Sequence, residues 1–339
     1  MRSLFDITKI GTLPMRNRFI RAAVSDTTFD GFIDEAMIAN YTAIAGGGVG
    51  AIVTGMTLVD GEEKIFPVVA LCSDSFVPGH RKLAEAVHRY DVRLIAQLAY
   101  IGSYTTVGDN SWIVALAPSS VPNIVTGAPA REMRLGEIKL VQKRFADAAA
   151  RAREAGYDGV ELHCAHGLLL SQFLTPHYNR RADEYGGPIE NRSRMIIETY
   201  TQIRSAAGYD FPVWVKLNCD DGIENGITEE DFLYVCGLLS RAGADAIEVS
   251  GNWTPHIFKA GPYFLAPAAS AAADNSVPTI LTGGNRRVSA MHEILNETKI
   301  EFFGIARSFA REPSLIDRFR RECENLAAGG ENFRKSSSF

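Results

Sequence analysis

His163 and His166 stand three residues apart at the end of an apolar run, 159-GVELHCAHGLLL-170. Two imidazoles at that spacing can ligate a metal, can be satisfied within the fold, or can offer a pair of N–H donors to an anionic or carbonyl oxygen. A metal would need a third convincing ligand, which the sequence does not supply, and a place at the end of a strand favours the donor reading. Other apolar runs are broken by polar residues in the same manner. Gln97 interrupts 93-RLIAQLA-99, and Lys216 interrupts 213-VWVKLN-218. An ammonium inside an apolar strand is costly unless it is paired or reaches a polar ligand. Glu161 or Glu248 on a neighbouring strand could pair with it, and a bound ligand is the alternative. Ser250 and Gly251 end 246-AIEVSG-251, Gly283 and Gly284 end 279-TILTGG-284, and Ala306 and Arg307 end 302-FFGIAR-307.

Eight such runs, near 19-FIRAA, 50-GAIVTGM and the segments above, are short, Ile/Val-rich and bounded by Gly or Asp, as buried parallel strands should be. Helical patterns separate them. In 136-GEIKLVQKRFADAAARAREAG-156, Ile138, Val141, Phe145, Ala148, Ala149 and Ala152 share a face and Gly156 is a stop. In 228-TEEDFLYVCGLLSRAG-243, Thr228 and Asp231 make an N-terminal capping pattern. Eight strand–helix units predict an α/β fold, a single (β/α)8 TIM barrel, whose chemistry belongs at the C-terminal ends of the strands. There the loops after the seventh and eighth strands commonly hold a phosphate, which points to a phosphorylated ligand with Arg307 as a charged contact.

Residues 100–135, which include Trp112 and have no sustained period, are expected to form an excursion over the barrel mouth. The barrel is expected over 1–326, and 327–339 as a flexible tail. The cluster 46-GGGVG-50 precedes a strand, whereas a dinucleotide loop must follow one, so it is expected to be a tight helix-to-strand turn.

At 339 residues and 46% hydrophobic, the chain can bury one large core. A net charge of −5 and scattered Lys and Arg argue against nucleic-acid binding. Five cysteines without a CxxC pair suit a reduced protein free of disulfides, zinc or iron–sulfur clusters. No apolar stretch is long enough to cross a membrane, and a cytoplasmic protein is expected. Oligomeric state is left open, and a homo-oligomer is compatible with these features.

From about Leu4 to Pro313 the chain resembles the old yellow enzyme family of FMN-dependent oxidoreductases. The resemblance is carried by 17-NRFIRAA, 95-IAQL, the string HCAHGLLLSQFLTPHYNRRADEYGGPIENR and the GG…R loops. It implies an FMN-binding (β/α)8 barrel in which NADH or NADPH reduces the flavin, whose N5 passes hydride to a small-molecule acceptor such as an α,β-unsaturated carbonyl. By the same resemblance Gln97 would bond the flavin pyrimidine edge, and Lys216 would replace a basic residue, usually arginine, near N1. Ala23, Met56 and Gly251 would belong to the flavin site, and Gly283, Gly284, Ala306 and Arg307 would hold its phosphate. His163 and His166 would bind the acceptor oxygen.

The chain departs from the family where a tyrosine usually donates a proton, because that position is Leu168. Ser25 stands where many relatives have cysteine, Thr27 where tyrosine is common, and Tyr100 where histidine is usual. Tyr100, Tyr104, His177 or a water are the replacement donors to consider, with Tyr100 taken as the catalytic candidate. Acceptors that need no such donor, quinones or nitro compounds, and oxidation of a substrate are the companion expectation. Two readings from other classes remain at this stage: a flavin-free barrel lyase with Lys216 as a Schiff-base amine, and a flavin-binding protein without turnover.

Overall fold

A computed structural model describes residues 1–28, 30–61, 68–105, 115–252 and 261–324. The chain opens with a hairpin, β1 (Thr8–Ile10) and β2 (Leu13–Met15), followed by β3 (Phe19–Arg21), α1 (Glu35–Gly46), β4 (Ala51–Val53) and β5 (Thr57–Leu58). Next come α2 (Val77–His88), β6 (Arg93–Ala99), β7 (Ala115–Ala117), β8 (Ala130–Glu132), α3 (Leu135–Glu154), β9 (Gly159–Cys164) and α4 (Leu169–Leu174). Then follow α5 (Ile189–Arg192), α6 (Arg194–Ala207), β10 (Val213–Asn218), α7 (Glu229–Ala242) and β11 (Ala246–Ser250). The last are α8 (Leu265–Asp274), β12 (Thr279–Thr282), α9 (Val288–Glu297) and β13 (Phe302–Ile305).

Strands β3, β4, β6, β9, β10, β11, β12 and β13 pair in that order, all parallel, and β13 closes onto β3. These are the eight expected strands. Both faces are buried, so each strand reads as a nearly unbroken apolar run. Outward residues such as Val160, Leu162, Val213, Val215, Ile247 and Val249 join the layer shared with the helices. Inward residues near the strand starts, Ile20, Ala51, Val53, Ile95, Trp214, Ala246, Ile280 and Phe302, pack with Ile10, Leu13 and Met15 of the hairpin. That end of the cylinder is therefore filled by hydrocarbon.

The helix signals behave as read. Thr228 accepts the Asp231 N–H at 3.1 Å, and Gly243 ends α7 at a φ of 85°. All six apolar residues named for α3 are buried. α1 ends at Gly46 and β4 begins at Ala51, so the glycine cluster is a turn. Within the long interval after β6, β7 and β8 pair in parallel. Arg181 donates to the carbonyls of Pro118 at 2.9 Å and Met133 at 2.7 Å, lacing this segment to the loop after α4. Trp112 and the 327–339 tail lie outside the described residues. No described helix is long and apolar enough to cross a membrane.

Candidate active site

Two residues along from the apolar filling, the inward positions change character. Gln97 follows Ile95, Lys216 follows Trp214, Glu248 follows Ala246 and Thr282 follows Ile280, because successive same-face residues in a strand are two apart. Further along come His163, Asn218 and Ser250 at the ends of β9, β10 and β11.

A cavity of about 450 Å³ opens above this layer, lined by Ala23, Ser25, Thr27, Met56, Val68, Gln97, Ile101, Tyr104, His163, His166, Leu168 and Lys216. Five chain segments far apart in sequence thus converge on one space, and they bring together Ala23, Met56, Gln97, His163, His166 and Lys216 of the expected set.

Its polar residues are held from below. Gln97 donates its side-chain N–H to Glu161 Oε2 at 2.6 Å, which leaves the amide oxygen for a ligand. Lys216 donates to Glu248 Oε1 at 2.6 Å, with both side chains buried. The sequence left a choice between ion pair and ligand contact for this lysine; the structure gives it a partner and a place on the cavity wall.

His163 Nδ1 accepts the Ala165 N–H at 3.2 Å, so a neutral ring carries its proton on Nε2. His166 lies at a φ of 59°, its own N–H donating to Asn218 Oδ1 at 3.0 Å and its Nε2 bonded to Ser250 Oγ at 2.8 Å. That leaves Nδ1 of His166 for a ligand. The two rings sit 5.0 Å apart, nearly perpendicular. Burial, then His166, then the Lys216 charge hold His163 well below the usual histidine pKa. Burial and then Lys216 bring His166 down to about 3. Both are neutral N–H donors at ordinary pH.

The remaining sequence candidates divide. Leu168 reaches the cavity wall, and so does Tyr104, whose ring lies beside Gly167. Tyr100 packs in the hydrophobic core and lines neither cavity; its carbonyl accepts the Leu169 N–H at 3.1 Å. His177 lies outside both linings, against the Tyr178 ring. Gly251 also lies outside them, where a Cβ would press into the Phe264 ring.

A second cavity of about 640 Å³ adjoins the ends of β12 and β13, lined by Gly283, Gly284, Asn285, Ala306, Arg307 and neighbours that include Arg286, Arg311 and Arg318. Gly283 and Gly284 have φ of 101° and 81°, a region L side chains rarely adopt, and a Cβ on Gly284 would overlap the Gly261 carbonyl. Asn285 is pinned by donating to the carbonyls of Leu281 at 2.7 Å and Gly304 at 3.0 Å. Its Oδ1 is buried without a hydrogen-bond partner among the described residues. A bare backbone, an arginine cluster and an orphaned acceptor suit a ligand with both an anionic group and hydroxyls, which a phosphorylated ribityl chain provides. Asn285, which the sequence reading passed over, follows the GG pair directly, and that adjacency was the available signal.

The closed parallel barrel, with polar residues at the strand ends and an anion-suited cavity after the last two strands, defines a flavin-type oxidoreductase scaffold. Residues 3–325 match the model of the NADH:flavin oxidoreductase / NADH oxidase family, and the chain belongs to that family, the old yellow enzyme family of the sequence reading. It is 32% identical to an NADH oxidase of Thermoanaerobacter brockii over 92% of this chain and 50% of that protein. It is 30% identical to an NADPH dehydrogenase of Geobacillus sp. (strain WCH70) over 91% of this chain and 91% of that protein. Among solved structures, a 2-naphthoyl-CoA reductase complex superposes with a TM-score of 0.88 at 25% identity, covering 95% of this chain and 52% of that one. The chain thus spans about half the length of the NADH oxidase. A Schiff-base lyase would need Lys216 as a free amine, whereas its Nζ is engaged by Glu248 Oε1 at 2.6 Å.

Proposed function

We propose that this chain is the FMN-binding barrel of an NAD(P)H-dependent oxidoreductase that reduces an activated acceptor such as an α,β-unsaturated carbonyl. The carrying observation is the convergence of Gln97, Lys216, His163 and His166 on one cavity beside the Gly283–Gly284 and Arg307 cavity. FMN, when bound, supplies the hydride chemistry between nicotinamide and acceptor. In this reading Gly283, Gly284, Ala306 and Arg307 hold its phosphate and Asn285 Oδ1 accepts a ribityl hydroxyl. Gln97 accepts through its amide oxygen at the pyrimidine edge, while Lys216 places positive charge there. Ala23 and Met56 give apolar walls.

His163 donates through Nε2–H to the acceptor oxygen, and His166 through Nδ1–H. Negative charge builds on that oxygen as hydride arrives, so both bonds strengthen towards the transition state. Neutral rings suit the task, since neither has to lose a proton first. Tyr104, the tyrosine on the cavity wall, is the proposed proton donor in place of the residue lost at Leu168. The apolar wall at Leu168 also supports a second reading, in which the acceptor is a quinone or nitro compound that needs no protonation at carbon.

The test begins by mixing the purified protein with FMN and removing unbound cofactor. A yellow protein bleached anaerobically by NADH or NADPH is expected, its colour returning with a cyclic enone, a quinone or a nitroaromatic. Protein that stays colourless after loading would rule the proposal out, and the acceptor that restores colour fastest separates the two readings.

A further inference from the structure

Beneath the cavity the barrel encloses two carboxyl groups and one ammonium. Glu161 on β9 and Glu248 on β11 are fully buried, with β10 and its Lys216 between their strands. Each carboxyl commits one oxygen, Glu161 Oε2 to Gln97 and Glu248 Oε1 to Lys216. The other two, Glu161 Oε1 and Glu248 Oε2, are buried and receive no hydrogen from any described donor. Yet the two carboxyl groups are within hydrogen-bond reach of one another. Two ionised carboxyls are acceptors only and cannot bond each other, whereas one proton between them satisfies both orphaned oxygens.

Charge leads to the same arrangement. Two carboxylates against one ammonium would leave an uncompensated negative charge in a water-excluded layer. The other titratable groups near it, His163, His166 and Cys164, offer no compensation, because burial keeps the rings and the thiol neutral. The proton belongs on Glu161. Burial and the Glu248 charge push it well above the usual carboxyl range, while the Lys216 charge and the hydrogens offered by Glu161 and Lys216 keep Glu248 below its ordinary value despite burial.

We propose that Glu161 and Glu248 share one proton and act as a positioning pair: the neutral acid fixes the sense of the Gln97 amide, and the carboxylate offsets the Lys216 charge presented to the flavin. The inference rests on the FMN reading for its consequence, though not for the shared proton. The electrostatics of the floor then depend on how many carboxyls are present and not on which.

Midpoint potentials of the FMN-loaded protein test this with Glu161→Gln, Glu248→Gln and the double variant. With one shared proton, either single replacement leaves a carboxyl that ionises against Lys216. The potential then stays within a tenfold change of the redox equilibrium, about 30 mV for a two-electron couple. The double variant leaves Lys216 unbalanced and moves the potential positive by more than that. If each single variant already moves it positive and the two shifts add, both carboxyls are ionised and the proposal fails.

Infrared spectra of the cofactor-free protein give a second readout that survives misfolding of the double variant. At neutral pH the wild type is expected to show a deuterium-sensitive C=O stretch of a protonated carboxyl, absent from Glu161→Gln and from Glu248→Gln. No such band in the wild type, or one that persists in Glu161→Gln, overturns the proposal. A protein with the band that never takes up FMN would refute the flavin reading alone.

Discussion

Near the start of the barrel strands, Ile95, Trp214, Ala246 and Ile280 fill the interior with hydrocarbon; one pleat further, Gln97, Lys216, Glu248 and Thr282 occupy the corresponding places. Strands, pairing and burial are common to both layers. They differ in what satisfies each side chain: dispersion contacts and the hairpin plug in the first, paired charges and a cavity in the second. A closed cylinder can thus separate stability from chemistry along its axis without changing its backbone.

Perturbing each layer should give opposite signatures. Trp214→Ala is expected to cost about 3–5 kcal/mol of stability, as for other buried aromatic truncations. FMN affinity should be retained, as read by denaturant unfolding beside cofactor titration. A large loss of affinity would join what the comparison separates. His163→Ala should spare folding but slow the oxidative half-reaction with carbonyl acceptors by roughly 10²-fold or more, as for loss of one oxyanion donor. Stopped-flow reoxidation measures this, and unchanged rates would remove His163 from the site. For Leu168→Tyr, faster enone reduction is expected, up to roughly the 10²-fold lower range for a general acid. No gain would point to Tyr104 or to an acceptor that needs no donor.

Acid should act on the fold through histidine burial, at the mouth through His163 and His166 and in the helical shell through His80. Folded-state pKa values are lowered to about 4 for His80 and about 3 for His166, and His163 is held well below the ordinary value, in each case chiefly by burial. The unfolded chain binds these protons first, so stability is lost as pH falls below about 6.5, the unfolded histidine value. Glu161, raised when folded, opposes this because it gains relative stability as pH falls, but it is one group against three. The unfolding midpoint should therefore be lower at pH 5 than at pH 7. The smallest effect should be that of pH on reoxidation, which stays flat between those values if both site histidines remain neutral.

Much of the fold was legible because parallel strands buried on both faces announce themselves as short Ile/Val runs, and the polar interruptions marked the mouth. The same double burial hides direction. Nothing in 159-GVELHC shows that Glu161 points inward beside His163 while Cys164 points out. For the same reason the sequence could not choose between Glu161 and Glu248 as the partner of Lys216. Loop geometry hid more: Tyr100 and Tyr104 look alike as candidates, yet Tyr100 belongs to the core and Tyr104 to the cavity wall. The β1–β2 plug was missed because strands of three residues carry no usable period.

The left-handed backbone at His166, followed by Gly167 at a φ of 73°, restricts what a mutational library can recover there. Asn, Asp and Gly tolerate that conformation, whereas Val, Ile and Thr are penalised by their branching before any chemistry is lost. Directed evolution at codon 166 would sample few workable substitutes, and asparagine, compact and still an N–H donor, is the replacement through which a shift in acceptor preference could be reached without refolding the turn.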